Sequence, residues 1–182
     1  MNDILRKEVK LLKALQGISY REIAEYLEIS ESGMYNWLKG YYELGHTKQK
    51  KLEEIIGYHF KNKHYLTQAL THSSFANEQK INKFKNYERL EFLGDAVLEL
   101  LSSKFFFETY PEMSEGEMTR LRSSMVCEPA LAFCARDISL GDYILLGKGE
   151  EATGGRLRDS ITSDVMEAVI GAIYLDGGIE HA

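Results

Sequence analysis

From about residue 52 to the C-terminus, apolar side chains recur every three or four positions, the period of a helix, and strand-like alternation is nearly absent. KLEEIIGYHF, YLTQALTHSSF, RLEFLGDAVLELLSSKFFF, EGEMTRLRSSMV, EPALAFCARDI and SDVMEAVIGAIYL all read as helices, joined by connectors that carry Gly, Pro, Asn or Asp. Only residues 143–146 suggest an extended segment. The pattern predicts an all-α body. Over residues 90–98 the apolar positions nearly encircle the helix, which predicts a central, buried element.

The front of the chain has a different texture. Ile4, Val9, Leu11, Leu12 and Leu15 mark one short helix stopped by Gly17, and Ser19-x-x-Glu22 is a capping box for a second. A turn at residues 28–30 leads to a third helix, closed by Gly40. Ala24 suits a close crossing of helices two and three, with Ile23, Leu27, Ile29, Met34 and Trp37 filling the wedge. This segment resembles the helix-turn-helix of phage-repressor-like regulators, although Glu28 stands where that family has a glycine. The resemblance implies a module over residues 1–47, ahead of a body over 48–182. Ser32, Tyr35, Asn36 and Lys39 would then face outward on a recognition helix. Contact with DNA, contact with a protein and a mere appendage with polar residues facing water all remain open for it.

Charge sharpens the division. The 182 residues carry a net charge of −6, but residues 1–51 hold 9 Lys and Arg against 7 Asp and Glu, whereas residues 52–182 hold 13 against 21. So acidic a body repels a phosphate backbone, unless its acids are gathered around divalent cations. No apolar stretch approaches the roughly 18 residues of a membrane helix, and MNDILRKEVK has no signal-peptide core. Cys127 and Cys134, without a Cys-x-x-Cys pair, read as small apolar residues on one side of a helix. A soluble cytoplasmic protein without membrane contact is expected.

Two helices break the rule that acids stay out of apolar surroundings. Glu88, Glu91 and Asp95 fall at i, i+3 and i+7, hence along one face, and Asp164 and Glu167 repeat the i, i+3 step in a second apolar helix. Like charges one turn apart repel, and burying them unpaired costs several kcal/mol more. A divalent metal held between the two helices offsets this, and an all-carboxylate donor set favours Mg²⁺, with Mn²⁺ able to substitute. The alternative is that the acids face solvent and pair with Arg120, Arg122, Arg156 or Arg158.

NYERLEFLGD (86–95) resembles the signature of the ribonuclease III catalytic domain. LTQALTHSSFANE (66–78) is similar to that family's opening helices. GKGEEATGGR (147–156) resembles its Gly-rich loop, and Asp164-x-x-Glu167 with IGAIYLDGG (170–178) resembles its closing metal motif. The resemblance covers about residues 50–182. It implies an all-α endonuclease fold and hydrolysis of double-stranded RNA to 5′-phosphate and 3′-hydroxyl ends. Glu91, Asp95, Asp164 and Glu167 match the family's core metal ligands, with Asp95 and Glu167 at the catalytic heart. Glu88, Glu115 and Glu150 match further acids of its cleavage valley, and the full acidic set argues against a relative that binds RNA without cutting it.

The resemblance also implies a homodimer in which Phe92 plugs into the partner; the plain reading of Phe92 is ordinary core. Lys148, Arg156 and Arg158 are candidates for backbone contacts to duplex RNA, which is recognised mainly by shape. Arg156 and Arg158 would equally suit pairing with Glu150, Glu151 or Asp159. No Ser-His-Asp set suggests itself, and His72 reads as a helix-packing residue. Most bacterial relatives continue past the Asp-Gly-Gly into a last helix and a double-stranded-RNA-binding domain, whereas this chain stops at Ala182. A fragment and a lone catalytic domain are both compatible with that, and either would bind RNA weakly and with strong salt dependence. A further alternative has residues 1–47 bring the body to DNA as a regulator.

Overall fold

A computed structural model describes residues 46–80 and 82–182, together with Arg21. The helix-turn-helix expected over 1–47, with Ser32, Tyr35, Asn36 and Lys39, lies outside the described residues apart from Arg21 and the first turn of the helix that starts at His46. The described body is helical: α1 (His46–Ile56), α2 (Lys63–Ala69), α3 (Ser73–Glu78), α4 (Glu88–Thr109), α5 (Glu115–Met125), α6 (Glu128–Asp137), α7 (Lys148–Ala152) and α8 (Asp159–Gly177), with short 3₁₀ turns at Lys83–Lys85, Leu140–Tyr143 and Gly155–Leu157.

Local chemistry fixes many of the boundaries. Asn62 caps α2 by accepting from the His64 N–H, and a Ser114/Glu117 capping box opens α5. Pro129 sits in the first turn of α6, where a missing N–H costs nothing. Gly178, at φ +85°, ends α8 in a conformation that L side chains rarely adopt.

Residues 65–75, predicted as one helix, are split. Thr71 leaves the helix to form an isolated parallel bridge with Leu145, the Leu145 N–H donating to Leu70 O (2.8 Å) and the His72 N–H to Leu145 O (3.1 Å). The extended segment expected at 143–146 is therefore realised as a single rung. His72 follows as the N-cap of α3, its Nδ1 accepting from the Ser74 N–H, so a residue read as helix packing is a buried helix cap. Cys127 is the N-cap of α6 and Cys134 is exposed, because a cap and an outward position are also seven apart; neither packs as predicted.

The central helix is α8. It buries Ile161, Val165, Ala168, Val169, Ala172 and Ile173 and packs against α4, α6 and α2. The encircled helix predicted at 90–98 is covered on one face only. Within α4, Leu90, Gly94, Val97 and Phe106 are buried, whereas Phe92, Leu100, Phe105 and Phe107 are exposed. At 22 residues α4 spans about 33 Å, and its partners α8, α5 and α2 leave one flank bare.

Where α4 crosses α8 the backbones touch. A Cβ added at Gly94 would stand 1.8 Å from the Glu167 carbonyl oxygen, and one at Gly171 would stand 2.3 Å from that of Leu90. Only glycine permits this approach from both sides. The C-terminal end of α8 is clamped as well. Asp176 accepts from the Tyr58 hydroxyl (2.8 Å) and from the N–H groups of Lys61 (2.7 Å) and Asn62 (2.9 Å), tying the α1–α2 connection to it. Those bonds outweigh the effect of burial and hold the Asp176 carboxyl below the usual range.

Candidate metal centre

The glycine crossing decides where the acids meet. Gly94 lies between Glu91 and Asp95 on α4, and Gly171 lies one turn past Glu167 on α8, so backbone contact there brings the two acidic pairs face to face. The electrostatics register the encounter. Burial, then the charges of Asp164, Glu88 and Asp95, push the Glu91 carboxyl from 4.5 up to about 7. Burial, then Asp95, Glu91 and Asp164, raise Glu167 to about 7 as well. Asp164 is raised chiefly by burial, against the Tyr87 hydroxyl, which donates to its Oδ2 at 3.3 Å. Burial and the same acids keep the Tyr87 proton in place.

Cations do not offset this charge. Among the described residues, none of Glu91, Asp95, Asp164 and Glu167 forms an ion pair, and three of the four arginines considered as partners are engaged elsewhere. Arg122 binds Glu99 and the Ser103 hydroxyl. Arg156 donates to Glu151 and to the carbonyls of Gly141 (2.7 Å) and Ile144 (2.8 Å). Arg158 binds Glu150 (2.6 Å) and the Thr153 hydroxyl. Three partly buried carboxyls with raised pKa values, Glu91, Asp164 and Glu167, beside the exposed Asp95 and with no counter-charge among the described residues, are a donor set suited to a hard divalent cation. Among the described residues no three Asp, Glu, His or Cys side chains have closed into a ready-made cage; the four acids form a cluster of like charge between two rigid helices.

The remaining predicted residues fall at graded distances from that cluster. Glu88 is exposed on the first turn of α4, and its charge acts on Glu91. Glu150 is half-buried, paired with Arg158, and its charge acts on His72, as do those of Glu88 and Asp164. Glu115 lies elsewhere. It accepts from the Thr119 hydroxyl and lines an open cavity of about 490 Å³ between α4 and α5, with Leu100, Phe107 and Met118.

Lys148 projects into solvent with its side chain 94 % exposed, while its backbone N–H is held by Glu78. Arg156 and Arg158 take the intramolecular pairings that the sequence left open, with Glu151 and Glu150. The loop they brace is anchored to α3 at its other end, where the Gly147 N–H donates to the Ser74 hydroxyl (2.9 Å). Phe92 is 80 % exposed, so it is not core.

Sequence reasoning missed Tyr87, and it missed the role of Gly94 and Gly171. An isolated glycine within an apolar helical run usually has a packing reason, and that was the available signal.

Comparison with known proteins bears on the fold and the family. The profile of the Ribonuclease-III-like family matches residues 62–182. Ribonuclease 3 of Anoxybacillus flavithermus is 55% identical over 135 residues, covering 74% of this chain and 57% of that protein. Ribonuclease 3 of Bacillus velezensis is 55% identical over 131 residues, covering 72% and 53% respectively. This chain thus spans little more than half the length of these curated relatives. A crystal structure of the nuclease domain of ribonuclease III from Campylobacter jejuni superposes with a TM-score of 0.66 at 45% identity, covering 72% of this chain and 85% of that one. A second structure of that domain, described for flexibility in a region involved in dimer formation, superposes with a TM-score of 0.67. On fold, motif order and this degree of identity, the chain belongs to the ribonuclease-III-like family.

Proposed function

We propose that this chain is a divalent-metal-dependent endonuclease that hydrolyses double-stranded RNA in RNA processing, leaving 5′-phosphate and 3′-hydroxyl ends. The observation that carries the reading is the meeting of two carboxyl pairs across the Gly94–Gly171 crossing without any cation among the described residues to neutralise them. Glu91, Asp95, Asp164 and Glu167 would hold Mg²⁺ or Mn²⁺, with Asp95 and Glu167 nearest the chemistry. When bound, such a cation makes a water nucleophilic at neutral pH and stabilises the leaving oxygen.

The protein's own part is to fix the acids on two rigid helices, to keep Glu91, Asp164 and Glu167 partly dry, and to repel RNA from the valley until their charge is offset. Glu88 and Glu150 extend the acidic rim, and Glu115 belongs to the valley only if a second subunit completes it. Lys148 would meet backbone phosphate, with Arg156 and Arg158 stiffening the loop that presents it. The exposed Phe92 supports a homodimer, and residues 1–47 would form a separate module contacting DNA or a protein. Among the described residues no helix is long and apolar enough to cross a membrane, and a cytoplasmic setting fits the substrate.

Incubation of a labelled RNA duplex with the protein at low salt, in Mg²⁺ or in EDTA, tests the reading. Cutting is expected only with Mg²⁺, and Glu167→Gln is expected to slow it at least about 100-fold, since substituting even a residue that supports a metal ligand costs roughly 10–100-fold. Duplex binding without cutting in Mg²⁺, or an unimpaired Glu167→Gln, would overturn it.

A further inference from the structure

Among the described residues, Asp164 is the one core acid that accepts a side-chain hydrogen bond from another element, and the donor is Tyr87. Tyr87 is held on every side. Its N–H donates to Thr71 O (2.9 Å), beside the Thr71–Leu145 bridge. Its carbonyl accepts from the N–H groups of Leu90 (2.8 Å) and Glu91 (2.9 Å), so it begins the helix that carries Glu91 and Asp95. Its ring is buried and tilted against the buried His72 ring at 5.5 Å between centroids. The one group left to act is the hydroxyl, and it crosses from the start of α4 to the acid of α8.

We propose that Tyr87 is a positioning residue, whose hydroxyl orients the Asp164 carboxylate toward the cation and couples the two halves of the metal centre. The proposal rests on the metal reading above. A carboxylate on a helix rotates about two side-chain bonds. A donor on its Oδ2 selects one orientation and leaves the other oxygen available to a cation. Partners that orient metal ligands are typically worth 10–100-fold in metal affinity. Phenylalanine at this position keeps the ring against His72 and every backbone bond, and removes only the donor.

The test is a titration of the full chain with Mn²⁺ in the absence of RNA, read as the rise in melting temperature. Tyr87→Phe is expected to move the Mn²⁺ midpoint upward at least about tenfold. In an Asp164→Asn background the same substitution should add less than about threefold, because the hydroxyl acts through that carboxylate. A Tyr87→Phe midpoint within twofold of the parent, alongside a shifted Asp164→Asn, overturns the proposal and leaves the metal reading intact. So does an equal effect of Tyr87→Phe in both backgrounds. An unshifted Asp164→Asn removes the metal reading and the proposal with it. Should Tyr87→Phe melt too early, free Mn²⁺ measured by electron paramagnetic resonance in the cold reports the same affinities without a melting transition.

Discussion

The side chains of Glu91 and Glu167 each meet two opposing demands. Their helices need to be buried against one another, and burial beside other acids makes their charged forms unfavourable. With both carboxyls raised from 4.5 to about 7, the folded chain holds more protons than the unfolded chain across that interval. Stability is then greatest below the unfolded value and falls as pH rises through the folded one, because the unfolded state releases the proton more readily. Melting temperatures in EDTA are accordingly expected to decline from about pH 5 to about pH 7, and saturating Mg²⁺ should flatten that decline by taking the place of the protons. Melting temperatures that climb over the same range would contradict the burial of these carboxyls as described. Glu53 shows what a buried carboxylate looks like when it is structural: it has Lys63 beside it and the Phe60 N–H on its Oε1 (2.7 Å). Among the described residues, none of the four acids has a comparable cationic partner.

At the scale of elements, the centre depends on how closely two helices approach. Carbonyl oxygens of Leu90 and Glu167 lie where a Cβ on the facing glycine would go, and backbone has no alternative rotamer to retreat into. Overpacking a core typically costs about 1–3 kcal/mol, with flexible side chains absorbing part of the strain. Gly94→Ala is therefore expected to destabilise by about 3 kcal/mol or more, read from urea unfolding, and to abolish cleavage even where the fold survives. A variant as stable and active as the parent would mean that the crossing does not set the spacing of the acids. The same logic explains why α8 is central. Its Gly171 lets α4 come close, and its other buried residues, among them Ile161, Val165, Ala168, Val169 and Ala172, fill the core.

Across the whole molecule, the exposed residues Phe92, Leu100 and Phe107, which share one side of α4, are hard to reconcile with an isolated chain, because large apolar patches on a soluble surface usually mark an interface. The dimer reading predicts that Phe92→Glu weakens self-association by at least about 30-fold, the scale of an interface hot spot. Sedimentation at micromolar concentration reads this directly. Because Phe92 is 80 % exposed in the single chain, the folded monomer should survive the substitution, and the melting temperature should fall only by the share that association contributes. A parent chain that is already monomeric at that concentration would remove both the plug and the two-subunit valley.

Much of this was legible in the sequence. The helical period defined an all-α body, the i, i+3 and i, i+7 spacing put the acids on two helix faces, and the order of the motifs indicated the family. Periodicity records which side chains share a face of one helix, and that is local information. It does not record which faces are covered. Hence α4 was expected to be encircled and is bare along one flank, Cys134 was expected to pack and is exposed, and a helix drawn through Thr71 is broken by pairing with Leu145, far along the chain. The commitment of Arg156 to the Gly141 and Ile144 carbonyls, and the reach of Tyr87 to Asp164, likewise depend on residues distant in sequence. The sequence by itself determined which acids are available and on which helices they stand. The tertiary structure alone decided that they face each other without counter-charge among the described residues, because their approach follows from two glycines, far apart in the chain, that let two backbones touch.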